Sequence, residues 1–161
     1  MGKHTLKIEF DYNFVLVGIS SHEKDYRISW ALNNALGIDL TINESLEIKF
    51  KNKTDVFFSI FSFKNEEDFL EFHVISNFSE KKVVNSNANN LFSKSESFSE
   101  SNTNGTLIPE MKQINYFLLI KGEVKKRDIK TIVDKIKKIN LVLAAIPIDI
   151  MALKSKKNLI F

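Results

Sequence analysis

Three histidines, at positions 4, 22 and 73, are the only imidazoles in 161 residues, and there is no cysteine. The chain therefore has no thiol nucleophile, no disulfide and no cysteine ligand for zinc or an iron–sulfur cluster. His22-Glu23 opens like a zincin pair, but Tyr26 stands where the second metal-binding histidine would be needed. A metal site would have to recruit carboxylates from distant segments, so neither a metal nor a cofactor is expected. Glycine occurs only at 2, 18, 37, 105 and 122. That distribution excludes GxGxxG and GxxxxGK[ST], the common phosphate-cradling loops, and no GxSxG nucleophile elbow is present. No catalytic constellation is recognised, and the balance leans away from an enzyme.

Smaller groupings remain. His73 alternates outward beside Glu71, an arrangement that serves a proton shuttle or, more commonly, is plain surface. Asp25, Tyr26 and Arg27 open a helical pattern; such a cluster can bind a small anion, or cap the helix and pair locally. Lys125, Lys126, Arg127, Lys130, Lys135, Lys137 and Lys138 surround an apolar helical stripe, against only Asp128 and Asp134. Contact with phosphates needs cations in this density. The cations of the last turn also suit the helix dipole with no ligand at all. Reading RNA bases would want exposed aromatics as well. Phe57, Phe61 and Phe63 are candidates, but the RRM consensus is absent and 14 phenylalanines are more simply core.

The elements that position these residues follow from periodicity. Leu6, Ile8 and Phe10 alternate with polar residues as a short strand, and Phe14–Ile19 is a continuous apolar run suited to a strand buried on both faces. Ser20 and Glu23 have capping-box spacing. Ile28, Ala31, Leu32, Ala35 and Leu36 then predict an amphipathic helix over 22–36, closed by Gly37. Leu46, Ile48 and Phe50 alternate, and Val56–Phe63 reads as one Phe-rich strand. Leu70, Phe72 and Val74 alternate with Glu71 and His73 to complete an antiparallel hairpin. Phe78–Val84 reads as a short edge strand. Farther on come a strand at Tyr116–Ile120, a helix over roughly 125–138, and a strand at Leu141–Ile146 stopped by Pro147. The tail from Met151 to Phe161 reads as a helical turn and an apolar end.

This predicts an α+β fold: a mixed β-sheet with two principal amphipathic helices on one face. The C-terminal β-α-β unit resembles half of a ferredoxin-like fold. Residues 85–105 hold 12 Asn or Ser among 21. Such a stretch buries too little to offset its ordering entropy. The expected organisation is one domain over 1–161, interrupted by a mobile Asn/Ser-rich segment at 85–105 that separates structured blocks 1–84 and 106–161. A core of this size buries about 70% of the unfolded chain's surface.

The net charge of +3 conceals a gradient: residues 1–84 are net −3, 85–105 net −1 and 106–161 net +7. An asymmetry of this kind suggests polyanion contact, against a plainly solvated basic helix face. No apolar run approaches the roughly 20 residues of a membrane span. The opening Met1–Leu6 has no secretory pattern, so a cytoplasmic setting is expected.

One stretch has a further resemblance. Ile108-Pro109-Glu110-Met111-Lys112-Gln113-Ile114-Asn115-Tyr116 resembles the signature of the bacterial IPExxxVDY family. The strand–helix–strand that follows and the ending Lys154–Phe161 are similar too. Ile114 stands for Val, and Asn115 for Asp, which removes a charge. The resemblance implies a common fold over most of the chain and no particular activity; a catalytic or metal-binding role for the missing Asp would not carry over. From the residues themselves, Pro109 extends Ile108, Ile108 anchors the chain after the Asn/Ser-rich segment, and Glu110 pairs with a base or caps backbone donors. Ile108, Pro109, Glu110, Ile114, Asn115 and Tyr116 are thus expected to be structural. Lys125, Lys126, Arg127, Lys130, Lys137 and Lys138 are the expected contact surface of a non-enzymatic binding or adaptor protein, whose partner is a protein or ribonucleoprotein. A ligand-sensing or enzymatic site near Glu110, Tyr116 and Asp25 is the competing reading.

Overall fold

A computed structural model describes residues 11–43, 45–49, 55–79 and 105–161. The expected strand at Leu6–Phe10, residue Phe50, the run 80–84 and nearly all of the Asn/Ser-rich segment lie outside the described residues.

The fold is α+β. Six strands form the main sheet: β1 (Phe14–Ser20), β2 (Thr41–Ile42), β5 (Ile60–Asn65), β6 (Leu70–Ser76), β7 (Tyr116–Lys121) and β8 (Ala144–Ile148), in the order β2-β5-β6-β7-β1-β8. A separate hairpin joins β3 (Leu46–Lys49) and β4 (Asp55–Phe58). The helices are α1 (Asp25–Leu36) and α2 (Lys126–Lys137).

Every pairing in the sheet is antiparallel, where a mixed sheet was expected. The reason lies in the β7–α2–β8 unit. Its two strands do run parallel to one another, but β1 lies between them and is antiparallel to both. The unit is thus a split β-α-β, and β7 also pairs with β6, so both halves of the chain share one sheet.

The continuous apolar runs reflect burial on two faces. Val17 and Ile19 of β1, Val74 of β6, and Tyr116, Leu118 and Ile120 of β7 face the helices, where Ile28 and Leu32 of α1 meet Val133 and Ile136 of α2. On the opposite face Leu16, Ile75, Phe117 and Leu119 meet Phe58 of β4, the segment Leu107–Ile114 and the tail residues Ile150, Leu153 and Leu159. The successive side chains of a strand point to opposite faces, so a strand buried on both sides loses its polar alternation. The tail supplies its layer through two 3-10 turns, Ile150–Ala152 and Lys156–Leu159.

Local signals account for some boundaries and miss others. Gly37 closes α1 at φ 67°, ψ 40°, and its N–H donates to Asn33 O. The expected capping box does not form. Lys24 is the N-cap and has no side-chain cap, and α1 begins at Asp25 rather than 22. Ser20 Oγ instead donates to Gln113 O, and Ser21 Oγ donates to Leu141 O and accepts from the N–H of Glu23. Tertiary partners outcompete the local cap. The Val56–Phe63 run breaks at buried Ser59 into β4 and β5, because its two halves pair in different sheets. β8 begins at Ala144 and contains Pro147 instead of ending before it. An edge strand tolerates the missing donor.

Gly37 has no atom within 4 Å of where a Cβ would lie, so only its left-handed backbone opposes substitution. Gly37→Ala is expected to cost about 1 kcal/mol in equilibrium denaturation, and Gly37→Asn less.

Candidate functional site

The motif-bearing stretch is organised around a residue outside it. Asn77, directly after β6, is 0% exposed. Its side-chain Oδ1 accepts from the N–H of Ile108 (2.8 Å), and its Nδ2 donates to Met111 O (3.0 Å) and Ile114 O (2.9 Å). Its backbone N–H donates to Asn115 O and its carbonyl accepts from Leu107 N–H, each at 2.8 Å. All its polar groups are satisfied, and through them the segment 107–115 is tied to the end of β6. Asn158 Nδ2 adds a bond to Leu107 O at 2.8 Å from the tail.

Within this frame each motif residue has a structural task. Ile108 and Ile114 are buried. Pro109 opens a 3-10 turn, Pro109–Met111. The Glu110 carboxylate accepts from the N–H of Ser155 at 2.7 Å and from its hydroxyl at 2.9 Å, fixing the tail to the motif. Partial burial alone would push that carboxyl up; the donors of Ser155 and neighbouring backbone N–H groups outweigh it and hold the carboxyl below its ordinary range. Asn115 Oδ1 accepts from Ser21 N–H at 2.9 Å. This position is used as an acceptor, a duty that Asp performs equally well. The Asn for Asp departure therefore costs no contact seen here.

Tyr116 lies on the helix-covered face of the sheet, and its hydroxyl donates to Glu23 O. Burial first, then the charges of Asp25 and Glu23, push its phenol up to about 12. Tyr116, Asp25 and Asn115 line a common groove. Glu110 is not part of it; its carboxylate is held by the tail that covers the other face. The site envisaged near Glu110, Tyr116 and Asp25 is thus divided between the two sides of the sheet.

The remaining candidates are placed as follows. Arg27 pairs with Glu23, and Asp25 Oδ1 accepts from Tyr26 N–H at 2.7 Å, so this cluster pairs locally. His73 is not on plain surface: its side chain is 13% exposed, its Nδ1 is 2.7 Å from Ser62 Oγ, and the Phe161 ring lies edge-on at 5.5 Å. The covering segment is the tail, which strand alternation does not reveal. Burial, followed by the charge of Lys121, lowers the His73 pKa against the opposing pull of Glu71. Phe61 and Phe63 pack in the helix-side core and Phe57 is half-buried, so they form no open aromatic platform. Among the described residues, no group of three or more acidic or histidine side chains is disposed to hold a metal.

On α2, Lys125, Lys126, Arg127, Lys130, Lys135, Lys137 and Lys138 are all exposed. Among the described residues, only Arg127 has a carboxylate partner, Asp128 at 3.6 Å. Lys126, Lys130 and Lys137 stand at i, i+4 and i+11 and so share a flank. Lys125, Lys126 and Arg127 crowd the helix N-terminus, where the dipole disfavours cations.

No family model matches the chain, no curated protein matches it, and no solved structure matches it.

Two measurements test the structural reading of the motif. Asn77→Ala leaves the Ile108 N–H and two carbonyls without partners. Chemical denaturation is expected to show a loss of about 3–5 kcal/mol, whereas Asn115→Asp should stay within about 0.5 kcal/mol of the parent. For Glu110, whose folded pKa lies below the ordinary 4.5, stabilisation is present above that value and lost as pH falls through the folded pKa. The stability gap between the parent and Glu110→Gln should therefore close on acidification below pH 4.5. A gap independent of pH would contradict the assignment.

Proposed function

We propose that the protein is a non-enzymatic binding or adaptor module whose helix α2 meets a polyanionic face of a ribonucleoprotein or protein partner. The observation that carries this reading is the cluster Lys125, Lys126 and Arg127 at the start of α2. Cations there oppose the helix dipole, and among the described residues the one ion pair they form is Arg127 with Asp128. A purely structural helix gains nothing from that placement, whereas a phosphate or acidic partner does. The flank Lys126, Lys130 and Lys137 extends the same surface. Since Phe61 and Phe63 are packed beneath the helices, the contact is with charge rather than with stacked bases. A cytoplasmic setting and kinship with the IPExxxVDY family belong to this proposal; the second is supported by the motif's place at the heart of the fold.

The small-molecule reading keeps one supporting observation, the groove beside Tyr116 and Asp25, and no longer involves Glu110.

Fluorescence anisotropy with a single-stranded RNA tests the leading proposal. For about four neutralised phosphates, raising salt from about 50 to about 200 mM should weaken binding about 50-fold. The double variant Lys126→Glu, Lys130→Glu should lose most of the affinity while remaining folded. Binding that is unaffected by salt or by that variant overturns the reading.

A further inference from the structure

Beyond the apolar patch that the tail covers, the same sheet face turns polar. Ser62, His73 and Leu119 stand in register across β5, β6 and β7, and Lys64, Glu71 and Lys121 form the next row. Leu119 packs in the tail-side core, so strand alternation turns both rows toward the tail. Phe161 reaches this end of the sheet and covers His73, with the two rings edge-on at 5.5 Å. His73 Nε2 is buried and has no hydrogen-bond partner among the described residues. The other ring nitrogen, Nδ1, is held by Ser62 Oγ at 2.7 Å.

The charged groups around the imidazole are Glu71 on its own strand, Lys64 on β5, Lys121 on β7 and Glu47 on β3. Glu71 Oε2 stands 3.7 Å from Nε2, beyond hydrogen-bond reach, and the other carboxylate oxygen pairs with Lys64 at 3.3 Å. Lys121 Nζ donates to Phe161 O at 3.2 Å and lies 4.8 Å from the centre of the Phe161 ring. Exposed Glu47 lines an open groove of about 420 Å³ beside the imidazole, with Leu46, Ile60 and Ser62. This place suits a neutral ring. Protonation would leave Nε2 as a buried, charged N–H without an acceptor, a costlier state than an unbonded neutral nitrogen. Burial first, then the charge of Lys121, accordingly hold the His73 pKa below its ordinary 6.5 against the pull of Glu71.

The cover over His73 is the weakly held part of the tail. Phe161 is 42% exposed and Ile160 37%, and the bond from Lys121 to Phe161 O is itself exposed. Leu159, by contrast, is fully buried, and Asn158 is bonded to Leu107 O. A hinge therefore falls just after Leu159. Once Phe161 swings out, the neighbouring groove admits water to the imidazole.

We infer that Ile160 and Phe161 form a pH-released strap: protonation of His73 expels the Phe161 ring, while Leu159 keeps the rest of the tail on the sheet. The neutral imidazole holds the strap above pH 6.5, and that hold is lost as pH falls through the folded pKa. Release begins below pH 6.5, whereas the Glu110–Ser155 link weakens only below pH 4.5, so acid loosens the tail from its outer end inward. The device is independent of α2.

An NMR titration of the isotope-labelled full chain from about pH 7.5 to about pH 4.5 tests this. The His73 ring signals, assigned by their loss in His73→Gln, should titrate with a midpoint below 6.5. The Phe161 ring signals should shift with the same midpoint and lose their cross-relaxation with His73, while Leu159 and β7 stay unchanged. In His73→Gln the Phe161 signals should no longer depend on pH over this range. In Phe161→Ala, a change at a half-exposed position that keeps the inference testable should His73→Gln fail to fold, the His73 midpoint should rise toward 6.5, because coupling between cover and proton is reciprocal. The inference is overturned if Phe161 does not follow the His73 titration, if Leu159 is released together with it, or if Phe161→Ala leaves the His73 midpoint where it was.

Discussion

One asparagine side chain carries the architecture. The segment 107–115 packs Leu107, Ile108 and Ile114 onto a buried face of the sheet, and outside its one 3-10 turn the backbone around these residues needs partners from elsewhere. Asn77 meets that demand because an amide offers both polarities from one planar group: Oδ1 to Ile108 N–H and Nδ2 to the carbonyls of Met111 and Ile114. Its own backbone adds the bonds to Asn115 and Leu107. Ile108 and Ile114 can then sit in the core, and Glu110 is left facing the tail, which it holds through Ser155.

The placement of function follows from that. The 107–115 segment, the β3–β4 pair and the tail pack on one face of the sheet and the two helices on the other. The exposed cations of α2 lie outside these packed layers. The cations at the start of α2 stand at the end of the helix where its dipole disfavours them, which stability alone does not explain.

Much of the fold was legible because it depends on local pattern. The doubly buried β1 and β7, the stripes of α1 and α2, the β5–β6 hairpin and the Gly37 cap were all visible as runs, periods or a single permissive residue. Features set by distant partners were not. The Ser20 hydroxyl was drawn to Gln113 rather than to a helix cap, the Val56–Phe63 run was divided by pairing in two sheets, and Pro147 was accepted because β8 turned out to be an edge. His73 was covered by Phe161, 88 positions later, which alternation cannot foresee. Asn77 gave no signal, since a single polar residue beside a strand has no period; only its contacts identify it.

Native-state hydrogen exchange tests the central role of Asn77 most directly. If its side chain and backbone lock the 107–115 segment to the sheet, the amides of Leu107 and Ile108 should exchange only by global unfolding, with the same opening free energy as Leu118 and Leu119 in β7. Exchange of Leu107 and Ile108 through local opening, at a free energy well below that of β7, would contradict the account.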